Sequence, residues 1–220
     1  RLLIAFAGIV LLTALTITVF VQFRISREMS ATEDKHAESL LNTVLLNVEN
    51  EYQSYRFYKK ALMRERKRDL EHICELAVSQ IRGLFKKQQS GVLSEQEAKR
   101  RAMEIIRNMR YDAGVGYLWI QNDELPVPRM LMHPAVPKLE GKIADDQLFY
   151  DALGGERNLL SIFVDSCVQN GDGYLEYKWP KPTKDGLIDN QSKISYVQYF
   201  KPWGWIIGTG VYAADVEQEI

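Results

Sequence analysis

The strand-like run Lys193-Ile194-Ser195-Tyr196-Val197, continued by Tyr199, contains a single basic residue. A lysine among such neighbours needs either solvent or a counter-charge, because an ammonium taken out of water alone is strongly disfavoured. Two readings stand side by side: Lys193 guards an exposed sheet edge against pairing with another chain, or it meets an anion. His133 closes the apolar stretch Met130-Leu131-Met132 just before Pro134, where an imidazole serves as a satisfied structural group or as a ligand contact. Tyr117, Trp119, Tyr177 and Tyr196 lie in strand-like segments; they either fill a core or wall a compact cavity with hydroxyl donors. Met132 and Ser195 complete the candidate binding set. Taken together, an ammonium, an imidazole and phenol hydroxyls suit a small carboxylate, which gains charge-assisted hydrogen bonds in a site shielded from water.

Other chemistry finds little support. The stretch from Asp165 to Glu176 has the end residues of a calcium-binding loop, but Cys167 and Gln169 occupy ligand positions and Asn170 stands where glycine is required. There is no His-Glu-x-x-His, no Gly-x-Ser-x-Gly and no phosphate-binding glycine loop, and His36, His72 and His133 fall in three different segments. Gly208-Thr209-Gly210 sits inside a strand pattern with no helix start after it, which favours close backbone approach over phosphate binding. Cys74 and Cys167 form no Cys-x-x-Cys motif and read as buried apolar side chains. No cofactor and no metal are expected. With 28 basic against 29 acidic residues the formal charge is -1, which excludes a bulk basic tail for nucleic acid.

The elements that must position these residues divide at about residue 110. All seven prolines and all four tryptophans come after it, so the first half reads as helix and the second as strands and turns. Leu2 to Phe23 contains no charge, and about 20 apolar residues cross a bilayer; a transmembrane helix over 1–23 is expected, a secretory signal fitting less well. The chain opens on Arg1 rather than methionine, so residues ahead of it are expected. From about Ser26 to Gln89 apolar positions recur at helical spacing, giving one very long helix or two nearly continuous ones. The basic stretch from Arg56 to His72 is a solvated helix face or a phosphate or headgroup patch. Ser94 to Glu97 reads as a capping box opening a helix with Ala98, Ala102, Ile105, Ile106 and Met109 on one side, packed on a sheet. Strands are expected at 117–120, 130–133, 174–179, 193–200 and 205–212, and short helices within 145–168. Helices followed by antiparallel strands make an α+β domain.

Five motifs in one order carry a resemblance: Gly116-Tyr117-Leu118-Trp119-Ile120; Met132-His133-Pro134 with Leu139-Glu140-Gly141-Lys142; Gly173-Tyr174-Leu175-Glu176-Tyr177-Lys178-Trp179-Pro180; Lys193-Ile194-Ser195-Tyr196-Val197; and Pro202-Trp203-Gly204-Trp205-Ile206-Ile207-Gly208-Thr209-Gly210-Val211-Tyr212. The chain resembles the single Cache sensor domain over residues 60–215. Residues 24–60 then form a juxtamembrane extension and 216–220 the start of a linker to a second membrane helix. The resemblance implies a PAS-like five-stranded antiparallel sheet flanked by helices, with the long helix along one side. It also implies an extracytoplasmic, periplasmic module of a bacterial inner-membrane chemoreceptor, histidine kinase or cyclic-nucleotide enzyme, itself non-catalytic. Similar domains often bind acetate, propionate, pyruvate or lactate between the sheet and the 134–170 segment. The segment from Asn122 to Arg129, with Pro126 and Pro128, departs from the family's regular hairpin. The exposed-stripe pattern of Leu40, Leu41, Val44, Leu45 and Val48 leads to the expectation of a parallel homodimer. A structural or partner-binding module without a small ligand is the alternative reading, and an enzyme is the third.

Overall fold

In a computed structural model, the backbone is described for residues 2–184 and 186–219, and the side chains for all of these except 2–10, 28 and 30–32. The chain divides into two compact units, 1–57 and 58–220. Helix α1 (Leu2–Gln89) is continuous. Within the first unit, every described side chain from 11 to 57 is exposed, Leu41, Val44 and Val48 included. Thr16 and Thr18 bond their hydroxyls back to carbonyls one turn earlier, so they cost an apolar helix little. Among the described residues no helix is long and apolar enough to cross a membrane; the first part of the Leu2 to Phe23 run has its side chains outside that description.

The second unit is built on a six-stranded antiparallel sheet in the order β1-β2-β6-β5-β4, with β3 also paired to β2. The strands are β1 (Arg110–Tyr111), β2 (Gly116–Asn122), β3 (Met130–Met132), β4 (Asp172–Thr183), β5 (Gly186–Phe200) and β6 (Trp205–Tyr212). Five were expected; the sixth, β1, is two residues long and too short for an alternation signal. It forms because Gly116 has no side chain and the Tyr111 ring folds over it, a Cβ there lying 2.3 Å from the ring. The Tyr111 hydroxyl then meets Thr209 Oγ1 at 2.6 Å.

Period-2 alternation sends the strands' side chains into two separate cores. On one face Leu118, Ile120, Met132, Tyr196 and Ile207 pack against Leu70, Cys74, Ala77 and Ile81 of α1 and Ala98, Ala102 and Ile106 of α2 (Glu95–Asn108). On the other, Tyr117, Trp119, Met130, Tyr177, Trp179 and Val197 are covered by Leu159, Leu160, Phe163, Val164 and Cys167 of α4 (Leu159–Asn170) and by Phe149 of α3 (Leu148–Asp151). Ser94 caps α2 by accepting from the Glu97 amide. Glu97 does not complete the reciprocal box, because its carboxylate bonds Arg100 and Arg101. Ile105, expected on the packed side, is 37% exposed; the buried stripe runs at i, i+4, i+8 through Ala98, Ala102 and Ile106.

A short C-terminal helix, α5 (Ala213–Glu217), follows β6 directly. Lys59 pairs with Glu217 and Arg66 with Glu219, which tie the C-terminal segment to α1 within this unit. Lys181 on β4 pairs with Asp215.

Candidate functional site

The site lies on the α4 side of the sheet, where β5 is an interior strand. Lys193 pairs across to Tyr177 on β4 and Tyr212 on β6, so the edge-guard reading does not hold. Its side chain crosses β6 at Gly210: a Cβ there would sit 2.9 Å from Lys193 Cε and 2.2 Å from Ser195 Oγ. Gly208 plays the same part for Trp119, whose indole would be 2.3 Å from an added Cβ. Neither glycine has a positive φ. They are needed for space, the close-approach reading of Gly208-Thr209-Gly210.

Lys193 is 1% exposed, and its Nζ donates to the Tyr117 hydroxyl at 2.8 Å. Three rings surround the ammonium, with Tyr117, Trp119 and Tyr212 centroids at 4.3, 5.0 and 5.2 Å. Among the described residues no carboxylate forms an ion pair with it. Burial alone therefore acts on the group and pushes it down to about 7.

His133 is buried with its ring 5.1 Å from Tyr117 and nearly parallel to Trp119. Its Nδ1 accepts from the Val136 amide at 2.9 Å, which leaves the proton of a neutral imidazole on Nε2. Burial, and then the nearby Lys193 charge, lower it to about 3, so it is a neutral donor. Its backbone N–H donates to Glu140, which is clamped by both terminal nitrogens of Arg107. That pair anchors the 133–140 loop to α2.

Beneath the ammonium, Tyr177 and Ser195 share a hydroxyl–hydroxyl bond of 2.9 Å. Two indole donors, Trp119 Nε1 and Trp179 Nε1, are buried without a hydrogen-bond partner, and burial first of all raises the Tyr117 phenol well above its ordinary value. The resulting cavity is lined by Trp119, Met130, His133, Phe163, Trp179 and Lys193, among others, and its volume of about 10 Å³ is the room of about one water. The polar side chains among its lining residues, Lys193, His133, Trp119, Trp179 and Tyr177, each carry an N–H or O–H. The arrangement suits an anion and contains no nucleophile–base pair. Among the described residues no group of three metal-ligating side chains occurs.

Six of the eight expected site residues come together here: Lys193, His133, Tyr117, Trp119, Tyr177 and Ser195. Tyr196 and Met132 do not. Both lie in the core on the α1 side, and the Tyr196 ring packs at a tilt against Tyr174, with centroids 4.9 Å apart. The reason is strand alternation, since Tyr196 follows Ser195 and so points through the opposite face. Trp179, Met130, Phe163, Leu159 and Leu160 were missed. Trp179 was within reach, two residues past Tyr177 on the same face; the α4 residues come from a distant segment and leave no local signal.

A donor-lined pocket between a PAS-like antiparallel sheet and a short helix segment is the architecture the motifs pointed to, and the family model of the dCache_2 Cache domain matches residues 22–220. The chain belongs to the Cache family. It is 40% identical over 130 residues, 59% of its length, to the methyl-accepting chemotaxis protein McpP of Pseudomonas putida, of which it spans 22%. A solved structure described as the structural basis for carboxylic acid recognition by a Cache chemosensory domain superposes with a TM-score of 0.60 at 32% identity, covering 70% of this chain and 97% of that one. The periplasmic sensor domain of a chemotaxis protein gives 0.60 at 34% identity, covering 68% and 96%. This Cache chain is thus similar to the sensory portions of chemoreceptors, over about a fifth of the curated relative's length.

Proposed function

We propose that this Cache chain is the periplasmic ligand-binding module of a receptor anchored in a bacterial inner membrane, and that it binds a carboxylate of two to four carbons such as acetate, propionate, pyruvate or lactate. The observation that carries the reading is Lys193: an amine wholly out of water without a counter-charge, with one neutral hydrogen-bond partner and two unpartnered indole donors beside it. A buried charge of this kind is costly unless an opposite charge meets it. A carboxylate supplies that charge and accepts from Lys193, the indoles and His133 Nε2. The chemoreceptor relatives and the carboxylic-acid-recognising neighbour support the same reading.

The apolar run Leu2 to Phe23 is the proposed anchor, and the exposed stripe of Leu41, Val44 and Val48 the proposed contact of a parallel homodimer. A signal has a physical route. Lys193 and Tyr212 are cross-strand partners, Tyr212 leads straight into α5, and the Lys59–Glu217 and Arg66–Glu219 pairs join that segment to α1. Binding shifts α1 only insofar as the ligand favours one of two arrangements of these elements.

The small cavity favours a second reading, a module whose pocket is filled by its own side chains and which binds only a partner protein. A core that was merely filled would not retain a fully buried lysine without a counter-charge and two idle indole donors, so rotation of a wall residue such as Trp179 is the expected way in. Isothermal titration and thermal shift with the four acids decide between the two. Binding heat with a raised melting temperature supports the sensor; no heat and no shift with any of them supports the closed module.

A further inference from the structure

We propose that carboxylate binding at this site is coupled to the uptake of one proton by Lys193, so that the affinity of the domain for its ligand rises as the surroundings become more acidic. The inference rests on the carboxylate reading above and adds its regulation.

The argument starts from what faces Lys193 on every side. From β2 come Tyr117 and Trp119, from β4 Tyr177, from β6 Tyr212, from the loop after β3 His133, and from α4 only Leu159, Leu160 and Phe163. The phenol groups of Tyr117, Tyr177 and Tyr212 are all raised by burial and stay neutral near pH 7. His133 is neutral above about 3. Charged groups meet the rings around it: Arg110 lies 6.0 Å from the Tyr117 ring centroid, and Lys181, paired with Asp215, lies 5.7 Å from that of Tyr212. No carboxylate faces the amine; the rings of Tyr117, Trp119 and Tyr212 and the Tyr117 hydroxyl give an ammonium cation–π and hydrogen-bond contact but no counter-charge.

In the free protein the amine therefore gives up its proton near neutrality, burial holding it at about 7. A carboxylate entering the cavity reverses the balance, because an anion within hydrogen-bond reach favours the charged amine. The step balances as amine plus proton plus carboxylate giving an ammonium–carboxylate pair. No covalent bond to the ligand forms, and the interior gains no net charge, equivalent to taking up the neutral acid. The device needs the lysine to be both fully buried and unpaired; an exposed lysine near 10.4 would stay charged throughout and show no such coupling.

The test uses the whole 220-residue chain, titrated with acetate, propionate, pyruvate and lactate in turn from pH 6 to 9, in buffers of different ionisation enthalpy. The expected result is an association constant that is level below pH 7 and falls about tenfold per pH unit above it, about 100-fold weaker by pH 9. Proton uptake should approach one per ligand at the alkaline end. In parallel, the Lys193 side-chain resonance of the free protein, assigned with Lys193→Met, should titrate near 7. Binding with a constant affinity, no buffer-dependent heat and a Lys193 resonance that titrates near 10 overturns the coupling while leaving the carboxylate reading intact. No heat with any acid removes that reading, and the coupling with it.

Discussion

Replacing Lys193 with methionine is expected to make the domain more stable and unresponsive to its ligand. Methionine keeps the length and volume of the lysine stem and removes the charge. Burial sets the folded-state value at about 7, below the ~10.4 of a lysine in the unfolded chain. The unfolded state therefore binds more protons across that window, so the wild-type penalty is complete below pH 7 and relieved as pH rises toward 10. At about 1.4 kcal/mol per pH unit, the penalty is about 4 kcal/mol at pH 7 and about 2 kcal/mol at pH 9. Losing the bond to the Tyr117 hydroxyl gives back about 1 kcal/mol. The variant should gain about 3 kcal/mol at pH 7, which is about 6–12 °C in Tm for a domain of this size, and clearly less at pH 9. Its affinity for the carboxylate should fall about 30-fold or more, since truncating one member of a buried charge pair costs about 2–5 kcal/mol. Melting curves of both proteins at the two pH values, with and without propionate, measure all of this. A variant less stable than wild type by the same amount at pH 7 and pH 9 would refute the claim that Lys193 lacks a counter-charge.

Gly208→Ala places a methyl group 2.3 Å from the Trp119 ring, so the indole must move; destabilisation of about 1–3 kcal/mol and weakened binding should appear together in denaturation and titration experiments. Glu140→Gln breaks the Arg107 clamp and loosens the His133 amide, which hydrogen exchange at His133 reports directly. Because Arg107 holds the Glu140 carboxyl below its usual range, the wild-type contribution is complete above about pH 4.3 and lost as pH falls further, and the Gln variant should lack that acid-side slope. Single cysteines at Leu41, Val44 and Val48, in a background without Cys74 and Cys167, should crosslink across a membrane-borne dimer more readily than those at Asn42 or Asn47. Equal crosslinking around the helix, or none, rejects the dimer contact.

What was legible beforehand followed from periodicity, and what was not followed from neglecting it or from distance along the chain. The 3.6-residue stripe of α1 and the motif order located the helix and the sheet. The chemistry of Lys193 stood out because a lone ammonium in a β-branched and aromatic run must be explained. Tyr196 was misplaced although the rule that corrects it is local: Lys193 and Ser195 share a face, so Tyr196 cannot. Met132 was drawn in by its neighbour His133, yet Met130 and Met132 fall in different cores across the register shift at Ile120/Gln121. Gly208 and Gly210 read from the sequence as sites of close approach, but only the folded chain shows that Trp119, Ser195 and Lys193 are what approaches them. The α4 wall and the Arg107–Glu140 anchor join segments 33 or more residues apart, and only the folded chain brings them together.

The central claim is that a small carboxylate neutralises Lys193 inside the sheet-to-α4 cavity. A crystal structure of the chain grown with pyruvate tests it most directly. The account predicts the carboxylate oxygens about 2.7–2.9 Å from Lys193 Nζ, with the Trp119 and Trp179 indoles and His133 turned toward the ligand and a wall side chain displaced to admit it. Pyruvate bound instead in the surface groove of Arg129, Lys138 and Lys142, with Lys193 still on the Tyr117 hydroxyl alone, would contradict it.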